Sequence, residues 1–226
     1  MNKLKRFVKS TPFLRNAVVF FMNLRPFSFE NSNQYWTDRY KKGGNSGAGS
    51  YGQLAQFKAN VLNRFVSEKT IQSVIELGCG DGSQLLLAEY PSYIGFDISE
   101  DAINLCNSLF TDDESKTFAH IDDRSDEKAD LAISLDVIYH LVEDSVFQEH
   151  LDQLFDSASR FVIIYSSNAD KLDMVTSKHV KHRNFTVNVG NQYPDWTLVD
   201  KIDNQYPYNG IDEETSFSDF YIYGKK

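Results

Sequence analysis

The chain has 226 residues and a formal net charge of −9, which suits one domain with additions and disfavours a nucleic-acid-binding surface, since such surfaces are basic. Its two cysteines cannot build a disulfide framework, and this usage fits a reducing compartment. No apolar run approaches the roughly 18 residues of a membrane-spanning helix. We therefore predict a cytoplasmic protein.

Residues 1–30 form a basic leader, in which six lysines and arginines face the single carboxylate of Glu30. The net charge of residues 31–226 is therefore −14, because that of the whole chain is −9. An apolar stretch at 17–24 lacks the small-residue site at which a secretory signal is cleaved. We predict an amphipathic segment that lies on an anionic inner membrane surface or docks a partner. Packing on its own domain or on a second subunit is the alternative.

An aromatic cluster at 35–40 has helical spacing and precedes a glycine-rich stretch at 41–52. The five glycines of that stretch favour a mobile loop. We expect the loop to act as a flap over the ligand site, with Tyr40, Ser50 and Tyr51 as substrate contacts, and a flexible linker is the alternative. An amphipathic helix is predicted at 53–67.

Residues 73–77 predict a buried strand that runs into a glycine turn at 78–82, GCGDG. Glycine lets the backbone approach a ligand closely, because it has no Cβ atom. The third glycine comes one residue earlier than in the dinucleotide-binding fingerprint, and Glu76 precedes the turn. A carboxylate at that place would repel a pyrophosphate, so the turn suits a ligand that carries positive charge.

Beyond the turn, predicted helices and strands alternate: a helix at 83–88, strands at 93–97, 117–121, 131–135 and 161–165, and helices at 100–109, capped by Ser99, and at 144–156. This alternation predicts right-handed crossovers and a parallel sheet. Two strand-like stretches at 196–205 and 218–223 have no helix between them and predict an antiparallel edge hairpin. The section at 166–195 follows the last parallel strand, where we expect a substrate lid.

Three segments together resemble the class I, Rossmann-like, S-adenosylmethionine-dependent methyltransferases. They are the glycine motif at 76–82, the strand at 93–99 that carries Asp97, and the run at 136–141, which resembles the motif after strand four of small-molecule methyltransferases. The resemblance implies an α/β domain at 31–226. It is expected to be doubly wound, with helices on both faces of a mostly parallel seven-stranded sheet and an antiparallel C-terminal hairpin.

The resemblance also implies a cofactor, S-adenosylmethionine, which leaves as S-adenosylhomocysteine. Glu76, Gly78 and Gly80, with Cys79 between the glycines, would line the amino-acid end of this cofactor. Asp97 and Ile98 would hold the ribose and flank the adenine. Asp122 or Asp123 would meet the adenine amine, although a solvated acidic loop is equally expected there. Asp136 would lie beside the methionine part or the incoming nucleophile.

A hydroxyl acceptor must lose a proton, and histidine is suited to take it near neutral pH. The candidate catalytic residues are Asp136 and His140 after the fourth strand, and His179 and His182 in the predicted lid. Lys181 and Arg183 lie in the same stretch and could hold a phosphate or carboxylate of the acceptor, or the stretch is a basic surface loop. Further candidate substrate contacts are Tyr139 and Tyr165.

The stretch at 179–185, the glycine loop and the strand end at 165–168 resemble small bacterial methyltransferases of surface-polysaccharide or secondary-metabolite pathways. Neither the proline motif of amino-directed nucleic-acid methyltransferases nor a carboxylate for magnesium at the end of strand five is present, and His179 and His182 have no third zinc ligand at the usual spacing. We predict metal-independent methyl transfer to a sugar hydroxyl or a phosphate-bearing glycan precursor. The alternatives are N-methylation of a small amine and a catalytically silent partner of a glycosyltransferase.

Overall fold

The computed structural model of the chain describes residues 29–170, 172, 177–211 and 213–226. The predicted basic leader therefore lies outside the described residues, except for its last two positions. Within the described ranges, no helix is both long and apolar enough to cross a membrane.

The described residues form one seven-stranded sheet. Its strands are β1 (Val74–Leu77), β2 (Tyr93–Asp97), β3 (Lys116–His120), β4 (Ala129–Leu135), β5 (Ala158–Ser166), β6 (Trp196–Ile202) and β7 (Asp219–Lys225). They lie in the order 3-2-1-4-5-7-6. The first five strands are parallel, and β7 is antiparallel to both β5 and β6. The predicted mostly parallel sheet with an antiparallel C-terminal hairpin is confirmed.

Helices cover both faces of this sheet. They are α1 (Ser32–Lys41), α2 (Gly52–Glu68), α3 (Glu100–Leu109), α4 (Asp144–Ser157) and α5 (Phe185–Gln192). Apolar side chains alternate along the strands between two buried clusters, because successive residues of a strand point to opposite faces. Leu62 and Phe65 of α2 pack into one cluster, and Leu151 and Leu154 of α4 pack into the other.

The helix predicted at 83–88 is wrong. Only a single 3-10 turn forms there, at Leu85–Leu87, and the side chains of Leu86 and Leu87 are exposed. The segment is short, and Pro91 disfavours helical backbone at the residue before it, so neither length nor packing supports an α-helix.

The section at 166–195 is only partly free to act as the predicted lid. Helix α5 buries Phe185 and Val189 in the same cluster as Leu151 and Leu154 and therefore belongs to the domain core. The stretch at 177–184 connects to it as a loop, while residues 171 and 173–176 lie outside the described ranges.

Candidate active site

A cavity of about 180 Å³ lies at the carboxyl ends of β1, β2 and β4, beneath α1 and the glycine-rich loop. The structure brings these predicted site residues to its wall: Tyr40, Ser50, Glu76, Gly78, Cys79, Gly80, Ile98, Asp97, Asp122, Asp136 and His140. It does not bring these others to the wall: Tyr51, Asp123, Tyr139, Tyr165, His179, His182 and Arg183. The carboxyl ends of parallel strands meet at one edge of the sheet, which explains why the residues predicted at strand ends converge.

The wall of this cavity is acidic. Its carboxylates belong to Glu76, Asp97, Asp122, Asp136 and Glu149. Among the described residues, Lys58 supplies the one lysine or arginine side chain of the wall. This charge balance suits a cationic ligand, because opposite charges attract more strongly away from bulk water.

The glycine turn shapes the floor of the cavity. Gly78 and Gly80 have φ angles of 90° and 59°, in the left-handed region that side chains disfavour. A Cβ atom on Gly80 would lie 2.4 Å from the Oγ atom of Ser46. The turn therefore requires glycine for two reasons: its backbone is in the left-handed region, and the loop above it approaches closely.

Asp97 ends β2 and is held by backbone donors. Its Oδ2 atom accepts the N–H of Gly80 at 2.9 Å, and its Oδ1 atom accepts the N–H of Ser99 at 3.0 Å. Burial raises the pKa of Asp97, while these backbone hydrogen bonds oppose the rise. The carboxylate thus connects the end of β2 to the glycine turn.

Glu76 is buried beneath the cavity. The hydroxyl of Tyr93 donates to its Oε2 atom at 2.7 Å. Burial raises the pKa of Glu76 to about 7, although the Tyr93 hydrogen bond and the charge of Lys58 both act to lower it. A bound cation beside this group would favour its ionised form.

Asp136 lies at the end of β4 in a network that the sequence did not reveal. Its backbone has a φ of 61°, and its Oδ2 atom accepts a hydrogen bond from the ammonium of Lys58 at 2.8 Å. The hydroxyls of Tyr139 and Ser218 each donate to Oδ1 at 3.0 Å. These donors hold Asp136 in place and occupy much of the capacity that a general base would need.

Lys58 is the main site residue missed by sequence reasoning. It lies on the buried face of α2, four residues after Leu54 and four before Leu62, and only 1% of it is exposed. A lysine in that apolar stripe was the available signal, since lysine is almost never fully buried unless it is paired.

We expect Lys58→Met to lower the free energy of unfolding by about 3 kcal/mol, because it leaves Asp136 charged and poorly solvated without its partner. Urea denaturation measures the loss. The matched control is Lys42→Met, which breaks the exposed Lys42–Asp38 pair at 2.9 Å and should cost less than about 1 kcal/mol. Equal effects of the two substitutions would contradict a buried ion pair at Lys58.

His140 borders the cavity in a defined tautomer. Its Nδ1 atom lies 3.1 Å from the carbonyl oxygen of His179, which can only accept, so Nδ1 carries the proton. Within the described residues, no hydrogen-bond partner engages Nε2, whose lone pair is free to accept. Burial lowers the pKa of His140 to about 3, which keeps the ring neutral.

The other two predicted histidines do not border the cavity. His179 stacks on Tyr35 with ring centroids 4.1 Å apart, and burial lowers its pKa to about 4. His182 is buried, and its Nδ1 atom lies 2.7 Å from the hydroxyl of Ser167. His179 thus acts on the cavity through its backbone carbonyl, which orients His140.

The basic residues of the stretch at 179–185, Lys181 and Arg183, contact the start of α4. Arg183 donates to the carbonyls of Leu141 and Val142 and pairs with Asp144 at 2.8 Å. The ammonium of Lys181 also donates to Asp144, at 2.6 Å. These two side chains stabilise the start of α4, so their charges are not directed at the cavity.

Three of the predicted tyrosines, Tyr51, Tyr139 and Tyr165, support the wall from outside. The hydroxyl of Tyr139 donates to Asp136. The ammonium of Lys58 lies over the ring of Tyr165, 5.3 Å from the ring centroid. Tyr51 donates to Asp81 of the glycine turn at 2.8 Å.

Among the described residues, no three His, Cys, Asp or Glu side chains gather in an arrangement that could hold a metal ion.

Comparison with solved structures defines the class of this fold. The N-methyltransferase NodS from Bradyrhizobium japonicum WM9 has a TM-score of 0.65 and 14% identity, over 87% of this chain and 99% of that one. The magnesium protoporphyrin IX methyltransferase ChlM from Synechocystis PCC 6803 has a TM-score of 0.60 and 17% identity, over 86% and 98%. The fold is thus the Rossmann-like fold of class I methyltransferases.

A family model for a methyltransferase domain matches residues 51–187, which is more than half of the chain. The chain therefore belongs to the methyltransferase domain family and is a methyltransferase. Proteins of curated function include none that matches its sequence.

Proposed function

We propose that this methyltransferase transfers a methyl group to a hydroxyl oxygen of a small polar acceptor, with His140 as the base. The observation that carries the proposal is the tautomer of His140, whose Nδ1–H is committed to the carbonyl of His179. Nε2 is then the ring atom that can accept the hydroxyl proton at the cavity. Burial keeps this atom unprotonated in the neutral range, while the hydrogen bond to the His179 carbonyl and the charge of Asp136 raise the pKa of His140 and would stabilise the ring once it accepts a proton.

The cofactor is S-adenosylmethionine, which supplies the methyl group on a positively charged sulfur. The residues present fit such a ligand, because the cavity wall is acidic and Asp97 lies where a ribose diol is bound in related folds. Gln84 also borders the cavity, and its buried Oε1 atom has no partner among the described residues. The NodS and ChlM structures were solved with S-adenosylhomocysteine bound.

We further propose a sugar hydroxyl as the acceptor, as in surface-polysaccharide or secondary-metabolite pathways. His140 supports an oxygen acceptor, because a hydroxyl requires a base whereas a neutral amine does not. A phosphate-bearing acceptor receives less support, since Lys181 and Arg183 are both paired with Asp144.

Calorimetric titration with S-adenosylmethionine and S-adenosylhomocysteine tests the cofactor, and we expect binding at micromolar concentrations. Failure to bind either compound would overturn the proposal. Methyl-labelled S-adenosylmethionine, offered with free sugars, nucleotide sugars and small amines, then tests the acceptor. Labelled sugar supports the proposal, label found only on amines contradicts it, and binding without turnover supports a silent partner subunit.

A further inference from the structure

We propose that Asp81 is a positioning residue that holds the glycine-rich loop at 42–51 closed over the cofactor and thereby sets how fast the product leaves. The inference rests on the proposed function, because it takes S-adenosylmethionine and S-adenosylhomocysteine as the ligands beneath this loop. Asp81 itself lies inside the glycine turn. The turn therefore both lines the cofactor site and holds the loop that covers this site.

The carboxylate of Asp81 joins the loop to the turn. Its Oδ2 atom accepts the N–H of Ser46 at 2.9 Å and the hydroxyl of Tyr51 at 2.8 Å. Its Oδ1 atom accepts the N–H of Ser83 at 3.1 Å, which fixes the carboxylate within the turn. In return, the N–H of Asp81 donates to the hydroxyl of Ser46 at 3.0 Å. Two loop residues therefore depend on one buried charge.

The loop approaches the site closely at two glycines. A Cβ atom on Gly80 would meet the Oγ atom of Ser46, and one on Gly49 would lie 2.8 Å from the Oδ2 atom of Asp136. Gly49 has no left-handed backbone, so its requirement for glycine is purely one of space. The closed loop thus touches the cavity both at the glycine turn and at the end of β4.

Helix α1 continues the same cover and is fastened at its own start. The N–H and hydroxyl of Ser32 donate to the carboxylate of Glu143 at 3.1 and 2.6 Å. Trp36 of α1 borders the cavity and meets the ring of His140 edge-on, with centroids 4.8 Å apart. The cover of the cavity is therefore held by two carboxylates, that of Glu143 at the start of α1 and that of Asp81 in the glycine turn.

Release of S-adenosylhomocysteine, followed by stopped-flow through tryptophan fluorescence, tests this role, since Trp36 borders the cavity and Trp196 does not. We expect Asp81→Asn to raise the dissociation rate by about tenfold and Tyr51→Phe by about threefold, since the first weakens both charge-assisted hydrogen bonds between loop and turn and the second removes one of them. Asp113→Asn is the matched control, because Asp113 accepts a similar local set of donors from Ser115 and Lys116 and does not border the cavity. It should leave the dissociation rate unchanged.

Gly49→Ala provides a second route to the same result. Its methyl group would clash with Asp136 only when the loop is closed, so it should also speed release, with an unfolding midpoint near that of the wild type. If the wild-type protein binds S-adenosylhomocysteine and Tyr51→Phe and Gly49→Ala release it at the wild-type rate, the role of Asp81 is overturned while the proposed function stands. If the wild type does not bind, the proposed function itself fails.

Discussion

Asp97→Ala is expected to raise the Kd for S-adenosylmethionine by about a thousandfold, which corresponds to about 4 kcal/mol. The substitution leaves the N–H groups of Gly80 and Ser99 without their acceptor, so the glycine turn is no longer held in the geometry in which it lines the cofactor site. It also removes the carboxylate proposed to accept hydrogen bonds from the ribose. Isothermal titration calorimetry measures the affinity directly.

Asp123→Ala is the control for this prediction. Asp123 is an exposed carboxylate near the same edge of the sheet and does not border the cavity. It should change the Kd by less than about threefold, as expected for an exposed charge. An Asp97 variant that binds as tightly as the wild type would show that Asp97 supports the turn without contacting the cofactor.

His140→Gln is expected to lower kcat by at least about a hundredfold, the usual scale for loss of a general base. Glutamine can still hydrogen-bond to the carbonyl of His179 but offers no basic nitrogen. The Kd for S-adenosylmethionine should therefore change little, so the loss appears in turnover alone. Transfer of labelled methyl to the acceptor that the screen identifies provides the measurement.

The pH dependence gives this prediction a second readout. Because burial lowers the pKa of His140 to about 3, its base form persists well below pH 6.5, and the wild-type rate should show no loss from this group near that pH.

His150→Gln is the matched control for His140→Gln. His150 borders the cavity, but its Nε2 atom is engaged by the hydroxyl of Ser134 at 2.9 Å. Equal losses in the two variants would contradict a specific role for His140.

Most of the sheet could be predicted from the sequence, because its strands are short apolar runs whose ends are marked by glycine or charged residues. Helix α3 begins where Ser99 predicted, since the serine hydroxyl accepts a hydrogen bond from the N–H of Ala102. The structure of the segment at 83–88 could not be predicted from such local signals. Its leucines have a helical composition, but only Leu85 is buried, while Leu86 and Leu87 remain exposed.

In the candidate site, too, the sequence predicts residues placed by local signals better than residues placed by distant contacts. Residues at strand ends, such as Asp97 and Asp136, reach the cavity because the sheet topology alone places them there. The charged residues after β5 do not, because their positions depend on contacts with α4 that are distant in sequence. Lys58 was missed for a related reason, since its partner Asp136 lies 78 residues away.

The buried carboxyl of Glu76 has a consequence for the charge of the site over one catalytic cycle. With a pKa of about 7, this group holds a proton part of the time at neutral pH. A sulfonium ligand would drive the proton off, and loss of the methyl group, which takes the positive charge of the sulfur with it, would let the proton return. We therefore expect the charge of this carboxyl to follow the charge of the bound sulfur over one catalytic cycle.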